Sequence, residues 1–586
     1  AQGVTLRGIG GNASSRTLVL LDGVPQADPF FGHIPFNALV PERLSVVRVT
    51  RGGGSGAFGA GAVAGTIELA SATRADLPLA SLSAFGGSFG STELSAIVAP
   101  DVGDGFVTLA GRWDRSIGTF TTPDDQRVPA SARAAYDSVS GSLRGVAPVG
   151  GDGELQATLS LLRDRRTLRF DGADSFQDAT DASVRYLARG PWQVDALAYV
   201  QLRDFGNRVI SSTSFRLTLD QRETPSTGVG GKIELRPPVG ENQLLRIGAD
   251  FRIAEGRLFE TAFNGGTGAV SAERTAGGRT SVFGGFAEYD RTFGPVVLTG
   301  GVRADRWRIA DGFFTARDAV GTVTQDSDYA ERADWEVTGR IGLVAKVGDG
   351  LALRVAGYTG TRLPTLNELY RPFVVFPVTT EANAALRPER LKGVEAGFDL
   401  MPAEGFALAV TGYWNRLDDA IANGTLAPSL RRRQNVAAIE AKGFEATASA
   451  RLGRFDLSAS YAYIDSGVVG EGASAALDGK RPAQTPEHAA SGTLGWRPTD
   501  TLGGSVTLRH VGAQYEDDLE DDRLPPALTV DATAELRLSE QLALVGRVEN
   551  LFDEQVVTRR VIDGPNESTD LGTPQTFWLG VRARLR

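Results

Sequence analysis

The sequence predicts an all-β membrane protein, in which a roughly 22-stranded antiparallel transmembrane β-barrel encloses a small mixed α/β plug domain. Two regions with different patterns of apolar and polar residues, and a regular series of turns, support this prediction. Residues 1–75 hold short apolar runs between Gly-rich turns, as a compact mixed domain does. Residues 76–586 instead alternate apolar and polar side chains over long stretches.

The alternation predicts strands with one apolar face and one polar face. In residues 394–400 apolar side chains occupy every second position and alternate with Glu395 and Asp399. In residues 577–586 the polar face carries Arg582, Arg584 and Arg586. Such a face fits a water-filled lumen better than the packed core of a β-sandwich.

Short turns divide the second region into long hairpins. They are predicted at residues 100–105, 148–153, 189–191, 237–242, 293–295, 348–350, 402–405, 453, 498–504 and 539–541. Between successive turns the hairpin has a longer and more polar central loop, which is the asymmetry of periplasmic turns and extracellular loops. About ten turns separate about 22 strands, and a barrel of that width needs its lumen filled. The first region is therefore predicted to be the plug.

Composition excludes several classes of function. The chain has 61 Lys and Arg against 71 Asp and Glu, so it lacks the general basic surface that binds nucleic acid. It has no cysteine, which excludes disulfides, thiolate metal sites and cysteine nucleophiles. No apolar run approaches the roughly 18 residues of a membrane-spanning helix. None of His33, His488 and His510 lies beside a nucleophile motif, so we expect no enzyme.

Several stretches resemble TonB-dependent receptors. In the first region these are LRGIG at 6–10, VLLDGVP at 19–25, ERLSVVRVTRG at 42–52 and AFGAGAVAGTIEL at 57–69, all similar to the second half of that family's plug. In the second region RLPTLNELY at 362–370, LRPER at 386–390 and ENLFD at 549–553 are similar to family elements in the family's order. The resemblance implies that 1–75 is the C-terminal part of a plug domain and 76–586 the transmembrane barrel.

The resemblance also implies a function in the bacterial outer membrane. We expect active uptake of a scarce, bulky nutrient, with the plug rearranged when the partner TonB pulls from the periplasm. A ferric siderophore is the first expectation for the cargo, cobalamin the second, and an oligosaccharide or peptide the third. A passive plugged channel or a surface interaction protein is the competing class. The segment that TonB grips is expected upstream of Ala1, and we expect a monomer surrounded by lipid and lipopolysaccharide.

Four charged residues are candidates for holding the plug in the barrel. Arg7 and Arg51 lie beside glycines in plug elements, and Glu395 and Glu445 share a Gly-apolar-Glu context in the barrel. At matching positions the family has a cluster of Arg and Glu between plug and inner wall. Because a buried charge without a partner is costly, such a cluster acts as a lock against partial opening. The alternative is four unrelated charges in the lumen.

A second set of candidates lies in a plug segment that resembles an apical loop facing the ligand. Asp28, Phe30, Phe31, His33 and Phe36 combine aromatic rings with one imidazole, which suits contact with a bulky ligand. The alternative is that the phenylalanines pack the core of the plug. A metal site at His33 is not expected, because no second His or Cys lies nearby.

Arginines of the barrel loops are a third set. Arg362, Arg371 and residues 431–433 are predicted to present positive charge on the extracellular side, where they would attract an anionic ferric chelate or lipopolysaccharide phosphate. Solvated loop positions are the alternative.

The acidic run at 516–522 is expected to be a solvated loop. Its density of carboxylates also suits Ca²⁺, the single cofactor that the sequence suggests.

Overall fold

The computed structural model describes residues 3–10, 15–54, 56, 59–375, 378–427, 429–563 and 566–585. In these residues a small four-stranded sheet lies within the lumen of a closed barrel. No helix among them is long and apolar enough to cross a membrane.

The plug consists of a mixed sheet and short helical turns. Its strands, in spatial order, are Val24–Pro25, Thr17–Leu21, Gly65–Ser71 and Leu44–Arg51. The two central strands pair in parallel and the outer pairs are antiparallel. The helical turns are 3-10 helices at Phe36–Ala38, Pro41–Arg43 and Arg74–Asp76.

The barrel is closed and has 22 long antiparallel strands, which confirms the predicted fold class. They are Ala80–Gly87, Ser91–Val98, Gly105–Ser116, Tyr136–Val149, Gly153–Thr167, Asp174–Arg189, Gln193–Ile210, Ser226–Arg236, Gln243–Phe263, Val270–Phe293, Val296–Asp318, Arg332–Gly348, Leu351–Arg362, Glu389–Leu400, Phe406–Asp418, Ala438–Leu452, Phe455–Val469, His488–Trp496, Leu502–Val511, Ala527–Arg537, Leu542–Glu549 and Thr576–Leu585. The first strand pairs with the last, from Ala80 opposite Leu585 to Gly87 opposite Trp578, so neither is left as an edge.

The two ends of the barrel differ as the turn spacing predicts. Each turn predicted from the sequence lies between two consecutive strands at one end, the turn end. Most connections at the other end, the loop end, are longer and carry further structure. Among the described residues this comprises the α-helix Leu366–Tyr370, the 3-10 helices Ser88–Gly90, Asp124–Gln126 and Gly472–Leu477, and the strands Leu217–Glu223, Val323–Tyr329, Phe373–Val375, Val378–Glu381, Ile421–Ala427, Leu430–Asn435, Gln514–Tyr515, Arg523–Leu524, Val557–Asp563 and Asn566–Leu571. The short strand Asp101–Val102 lies at the turn end.

The outer wall is apolar, because the residues that point away from the lumen are predominantly aliphatic or aromatic. Leu109, Leu143 and Leu159 lie side by side in neighbouring strands and are 60%, 47% and 41% exposed. Thr108, which precedes Leu109 in the same strand, points inward and is buried. A band of exposed leucines around a closed barrel is stable only in contact with lipid.

We expect Leu143→Arg to destabilise the barrel by about 2–4 kcal/mol, because it places a charge at the middle of the lipid-facing wall. The measurement is equilibrium urea unfolding in lipid vesicles. Val320→Arg is the matched control, since Val320 is 85% exposed in a connection at the loop end. Equal stability of the two variants would show that the outer wall does not face lipid.

Candidate functional site

The plug is fastened to the barrel wall by a network of charges centred on Arg7. Arg7 Nη1 lies 2.6 Å from Glu395 Oε2 and donates to the Tyr358 hydroxyl at 2.9 Å. Its Nε and Nη2 both donate to Glu445 Oε2 at 3.2 Å. The guanidinium also lies over the Tyr413 ring, 4.6 Å from its centroid. Every polar edge of this cation therefore meets a barrel residue.

The second plug arginine reaches the same carboxylate. Arg51 Nε lies 3.4 Å from Glu445 Oε1, so the structure brings Arg7, Arg51, Glu395 and Glu445 into one cluster, the Arg7 cluster. The next residue, Gly52, has φ +87°, and a Cβ there would lie 2.4 Å from the Tyr358 ring. Only glycine permits so close an approach of the plug turn to the wall. The role of the cluster as a lock remains a prediction.

The Arg7 side chain stays charged in this setting. Burial alone would lower its pKa, but Tyr358, Glu445 and Glu395 together raise the pKa above its ordinary value. Two arginines facing two carboxylates leave the cluster without net charge. Removing one member would leave the others partly uncompensated in a site where water is largely excluded.

A second network, which the sequence analysis missed, lies nearer the loop end of the barrel, where the strands Leu351–Arg362 and Glu389–Leu400 meet their connection. Plug residue Arg16 donates to Glu389 Oε1 from Nη2 at 2.6 Å, and also to the carbonyl of Ile421 at 2.8 Å. Glu389 in turn accepts from Arg362 at 2.5 Å, and Arg362 Nη2 lies 3.0 Å from Glu368 Oε1. The side chains of this Arg16 cluster, Arg16, Glu389, Arg362 and Glu368, are between 0% and 6% exposed.

The Arg16 cluster ties a loop of the barrel to the plug. Glu368 belongs to the helix Leu366–Tyr370, which Thr365 begins with a reciprocal capping box. Within this helix the backbone N–H of Asn367 donates to the carbonyl of Phe30 in the plug at 3.0 Å. All five helical residues are buried, so this connection at the loop end folds inward over the plug. The Thr-x-x-Glu pattern is the sequence signal that could have located the helix.

The apical segment of the plug is buried beneath that helix. Asp28 Oδ1 accepts from the backbone N–H groups of Phe30 and Phe31 at 2.9 and 2.8 Å, which fixes the turn. Phe30 and Phe31 are 0% and 8% exposed and pack with Leu366 and Leu369 of the helix. Phe30 and Phe31 therefore pack against barrel residues rather than in the core of the plug, and their contact with a ligand stays a prediction.

His33 and Phe36 have different surroundings. His33 is buried, and Gln177 Nε2 of the barrel donates to its Nε2 at 2.9 Å. Burial lowers the pKa of His33, so the imidazole is neutral near pH 7. Phe36 is 50% exposed in a 3-10 turn and is separate from the buried cluster.

The predicted positive surface of the loop arginines differs from what the structure shows. Arg362 is buried in the Arg16 cluster, and Arg371 donates to Glu260 at 2.9 Å and to Gln221 at 2.8 Å. Arg433 is buried and donates to the backbone carbonyls of Asn367 and Arg371. These three side chains bind other groups of the protein, because the loops fold inward. Local sequence does not reveal that inward fold.

The two remaining arginines of this set also lie near carboxylates. Arg432 Nη2 lies 2.7 Å from Glu381 Oε2, and Arg431 Nη2 lies 3.8 Å from Asp518 Oδ1.

The acidic run is partly buried rather than fully solvated. Asp517 Oδ1 accepts from the backbone N–H groups of Asp521 and Asp522, which closes the turn. Burial raises the pKa of Glu516, Asp518 and Asp522. In the part of the chain that the structure describes, no group of three or more His, Cys, Asp or Glu side chains is placed to hold a metal ion. Calcium binding stays a prediction.

Comparison with known protein families agrees with this architecture. The family described as "TonB dependent receptor-like, beta-barrel" matches residues 103–551, and the "TonB-dependent Receptor Plug Domain" matches residues 1–66. The chain belongs to the TonB-dependent receptor family. As a TonB-dependent receptor it is a transport protein of the bacterial outer membrane and not an enzyme. The loop end of this receptor is extracellular and its turn end is periplasmic.

Individual relatives of the receptor are distant. It is 22% identical over 564 residues to the vitamin B12 transporter BtuB of Photobacterium profundum, a match that covers 94% of this chain and 82% of the relative. Among solved structures it is similar to the copper transporter OprC, with a TM-score of 0.79, 18% identity, and coverage of 99% of this chain and 96% of that one. It is also similar to the ferric yersiniabactin uptake receptor FyuA from Yersinia pestis, with a TM-score of 0.79 and 16% identity. That match covers 99% of this chain and 91% of FyuA. At these identities the structural likeness shows the fold alone.

We expect Arg7→Met to weaken retention of the plug by about 3 kcal/mol, because it leaves Glu395 without its closest partner in a buried site. The measurement is the urea concentration at which amides of the plug strand Thr17–Leu21 lose protection from hydrogen exchange. Arg48→Met is the control: Arg48 is 68% exposed and 3.6 Å from Glu68, so its loss changes retention by at most about 0.5 kcal/mol. Equal shifts would contradict a special role for Arg7.

We expect the stability of the plug to fall with pH through His33. Because the folded protein favours the neutral imidazole, His33 contributes its full stability above the unfolded pKa of about 6.5 and loses it as pH falls toward the lower folded pKa. Hydrogen exchange of the plug between about pH 7 and pH 5 should therefore show a loss of protection that His33→Gln reduces. His488→Gln, at a side chain that is 47% exposed, is the control and should leave the profile unchanged. A His33→Gln profile identical to that of the unaltered receptor would refute this assignment.

Proposed function

We propose that this receptor imports a ferric siderophore across the outer membrane, driven by TonB. The observation that carries the proposal is that two separate parts of the protein close the lumen. The plug occupies it, and the buried helix Leu366–Tyr370 closes over the plug from the extracellular side. A passive pore needs no such double closure, whereas a gated transporter for a scarce ligand must open it for each cargo.

The available ligand atoms favour a preformed chelate over a bare metal ion. The chain has no cysteine and a single methionine, and His33 is buried and bonded to Gln177. Copper sites draw on thiolate, thioether and imidazole ligands, which are scarce in this sequence. A siderophore supplies the ligands of its own iron, so the receptor needs only a surface that fits the chelate. The ferric yersiniabactin uptake receptor FyuA, which shares this fold, is an example of a receptor for such a chelate.

Cobalamin is the second candidate. One specific observation favours it, namely the match to the vitamin B12 transporter BtuB along 94% of this chain. Cobalamin is likewise a bulky metal complex that carries most of its own ligands, so both candidates need the same opening of the loop helix.

The cargo is tested by tryptophan fluorescence of the detergent-solubilised receptor, titrated with ferric siderophores and with cyanocobalamin. Trp307 is buried in the hydrophobic cluster that contains Phe30, Leu366 and Leu369, so displacement of the helix changes its surroundings. We expect saturable quenching by a ferric chelate, and Trp307→Phe should remove most of the signal while leaving binding intact by calorimetry. Saturation by cyanocobalamin alone would replace the first candidate with the second. No saturable response to either ligand would reject both.

A further inference from the structure

Four exposed arginines form a patch on the outer wall of the barrel. They lie in three consecutive strands, Gln243–Phe263, Val270–Phe293 and Val296–Asp318. This arginine patch consists of Arg257, Arg279, Arg306 and Arg308. In the last strand the residues that alternate with the arginines, Trp307 and Ile309, are buried, so the arginine side chains point away from the lumen.

The patch runs diagonally across the three strands. Arg279 is the diagonal neighbour of Arg257 on one side and of Arg308 on the other. Such neighbours are about 7–8 Å apart. Arg306 comes two residues before Arg308 and therefore lies on the same face of its strand. Because neighbouring like charges repel one another, an anion placed among these arginines would be favourable.

The patch begins where the outer wall changes from apolar to charged. From Val296 to Ala304 the outward positions hold only Val, Leu, Gly and Ala, and Arg306 is the next residue on that face. Residues 296–304 are about as many as the roughly 9–11 that a tilted strand needs to cross the apolar part of a membrane. The strand begins at the periplasmic end, so Arg306 lies at the level of the lipid headgroups on the extracellular side.

Aromatic rings border the patch on its membrane side. Trp335 is 58% exposed, and the guanidinium of Arg306 lies over its ring, 5.9 Å from the centroid. In the same row of outward residues Phe251 and Phe283 are stacked, with their ring centroids 6.0 Å apart. Tryptophan is enriched at membrane–water interfaces, so its position beside Arg306 supports the same placement in the membrane.

Three of the four arginines form no ion pair with a carboxylate in the part of the chain that the structure describes. These three are Arg257, Arg279 and Arg306. The fourth, Arg308, lies 2.6 Å from Glu331. An arginine side chain has five N–H donors, so three guanidinium groups here can donate to water or to a lipid.

Carboxylates beside the patch do not neutralise it completely. Glu255 lies directly opposite Arg279, and Asp311 is close enough to Arg308 to raise the pKa of its guanidinium. Among the described residues, neither carboxylate forms an ion pair with an arginine of the patch. The arginines of the patch also outnumber Glu255, Asp311 and Glu331, so a positive charge remains.

Another charged region of the outer wall is neutralised by its own ion pairs. The outward positions that precede Arg416 span residues 406–414 and are apolar, so Arg416 lies at the same level as Arg306. Here Arg416 is 2.6 Å and Lys392 3.0 Å from the carboxylate of Asp418. These cations already have a partner within the protein, which distinguishes them from the arginine patch.

We propose that the arginine patch binds the phosphates of a lipopolysaccharide molecule in the outer leaflet. The lipid A part of lipopolysaccharide carries one phosphate at each end of a disaccharide. A strand separation of about 5 Å and a rise over four residues place Arg279 and Arg306 about 14 Å apart, so the two phosphates can each meet an arginine. Arginine and phosphate form strong, often bidentate, hydrogen bonds. The proposal is independent of the cargo.

The test measures the binding of diphosphoryl lipid A to the full chain in detergent, after copurified lipid has been removed. Native mass spectrometry gives the number of bound lipid A molecules and the dissociation constant. One variant combines Arg279→Gln with Arg306→Gln. The matched control combines Lys392→Gln with Arg416→Gln, which also removes two outward-facing cations from the wall.

We expect the patch variant to bind diphosphoryl lipid A about thirtyfold more weakly, because each arginine near an anionic lipid strengthens binding about fivefold. The control should change the affinity by at most about twofold, since its cations are paired with carboxylates of the protein. Unchanged affinity in the patch variant, or equal losses in the two variants, would overturn the proposed site.

Further probes separate lipopolysaccharide from other sources of phosphate. Monophosphoryl lipid A should bind more weakly than the diphosphoryl form, because one end of the patch then has no phosphate to meet. Phosphatidylglycerol, with a single phosphate, should also bind more weakly, and excess inorganic phosphate should not displace diphosphoryl lipid A. Equal binding of phosphatidylglycerol, or displacement by inorganic phosphate, would contradict the assignment to lipopolysaccharide.

Discussion

The constraint on which the rest of this structure depends is that a sheet crossing a membrane has no edge. Lipid offers no hydrogen bonds, so every strand must find two neighbours, and the pairing of Ala80–Gly87 with Thr576–Leu585 completes the circle. A closed sheet of 22 strands is too wide for its own side chains to fill. The lumen must therefore be wet, polar and occupied by a separate plug.

The wet lumen determines how the plug is held. An apolar interface would suit a permanent core, but the inner faces of these strands must also be compatible with water when the plug moves. In this structure ion pairs join arginines of the plug to glutamates of the wall, and such pairs attract strongly only while water is excluded. We therefore expect retention of the plug to depend on them. The Arg16 cluster adds the loop helix through Glu368, so that the extracellular closure and the plug form one connected unit.

The sequence predicts those features that are encoded locally. Period-two alternation and turn residues identify strands because each strand is specified by its own residues, and the Arg7 cluster was found because its members resemble family positions. The Arg16 cluster was missed because Arg16 and Glu389 are 373 residues apart, and no local pattern reports their contact. The same limit explains Arg362 and Arg371. As residues in a polar loop they look exposed, and only the inward fold of the helix Leu366–Tyr370 buries them.

Charge pairing across an interface and charge pairing within one surface have opposite consequences for movement. A cross-interface pair resists small displacements most strongly, because the first ångströms leave two charges poorly compensated before water can enter. A surface whose charges pair among themselves offers no such resistance and hydrates at once. The Arg7 and Arg16 clusters are pairs of the first kind, because each joins an arginine of the plug to glutamates of the wall. We therefore expect the carboxylates of the wall that face plug arginines to resist small displacements of the plug most strongly.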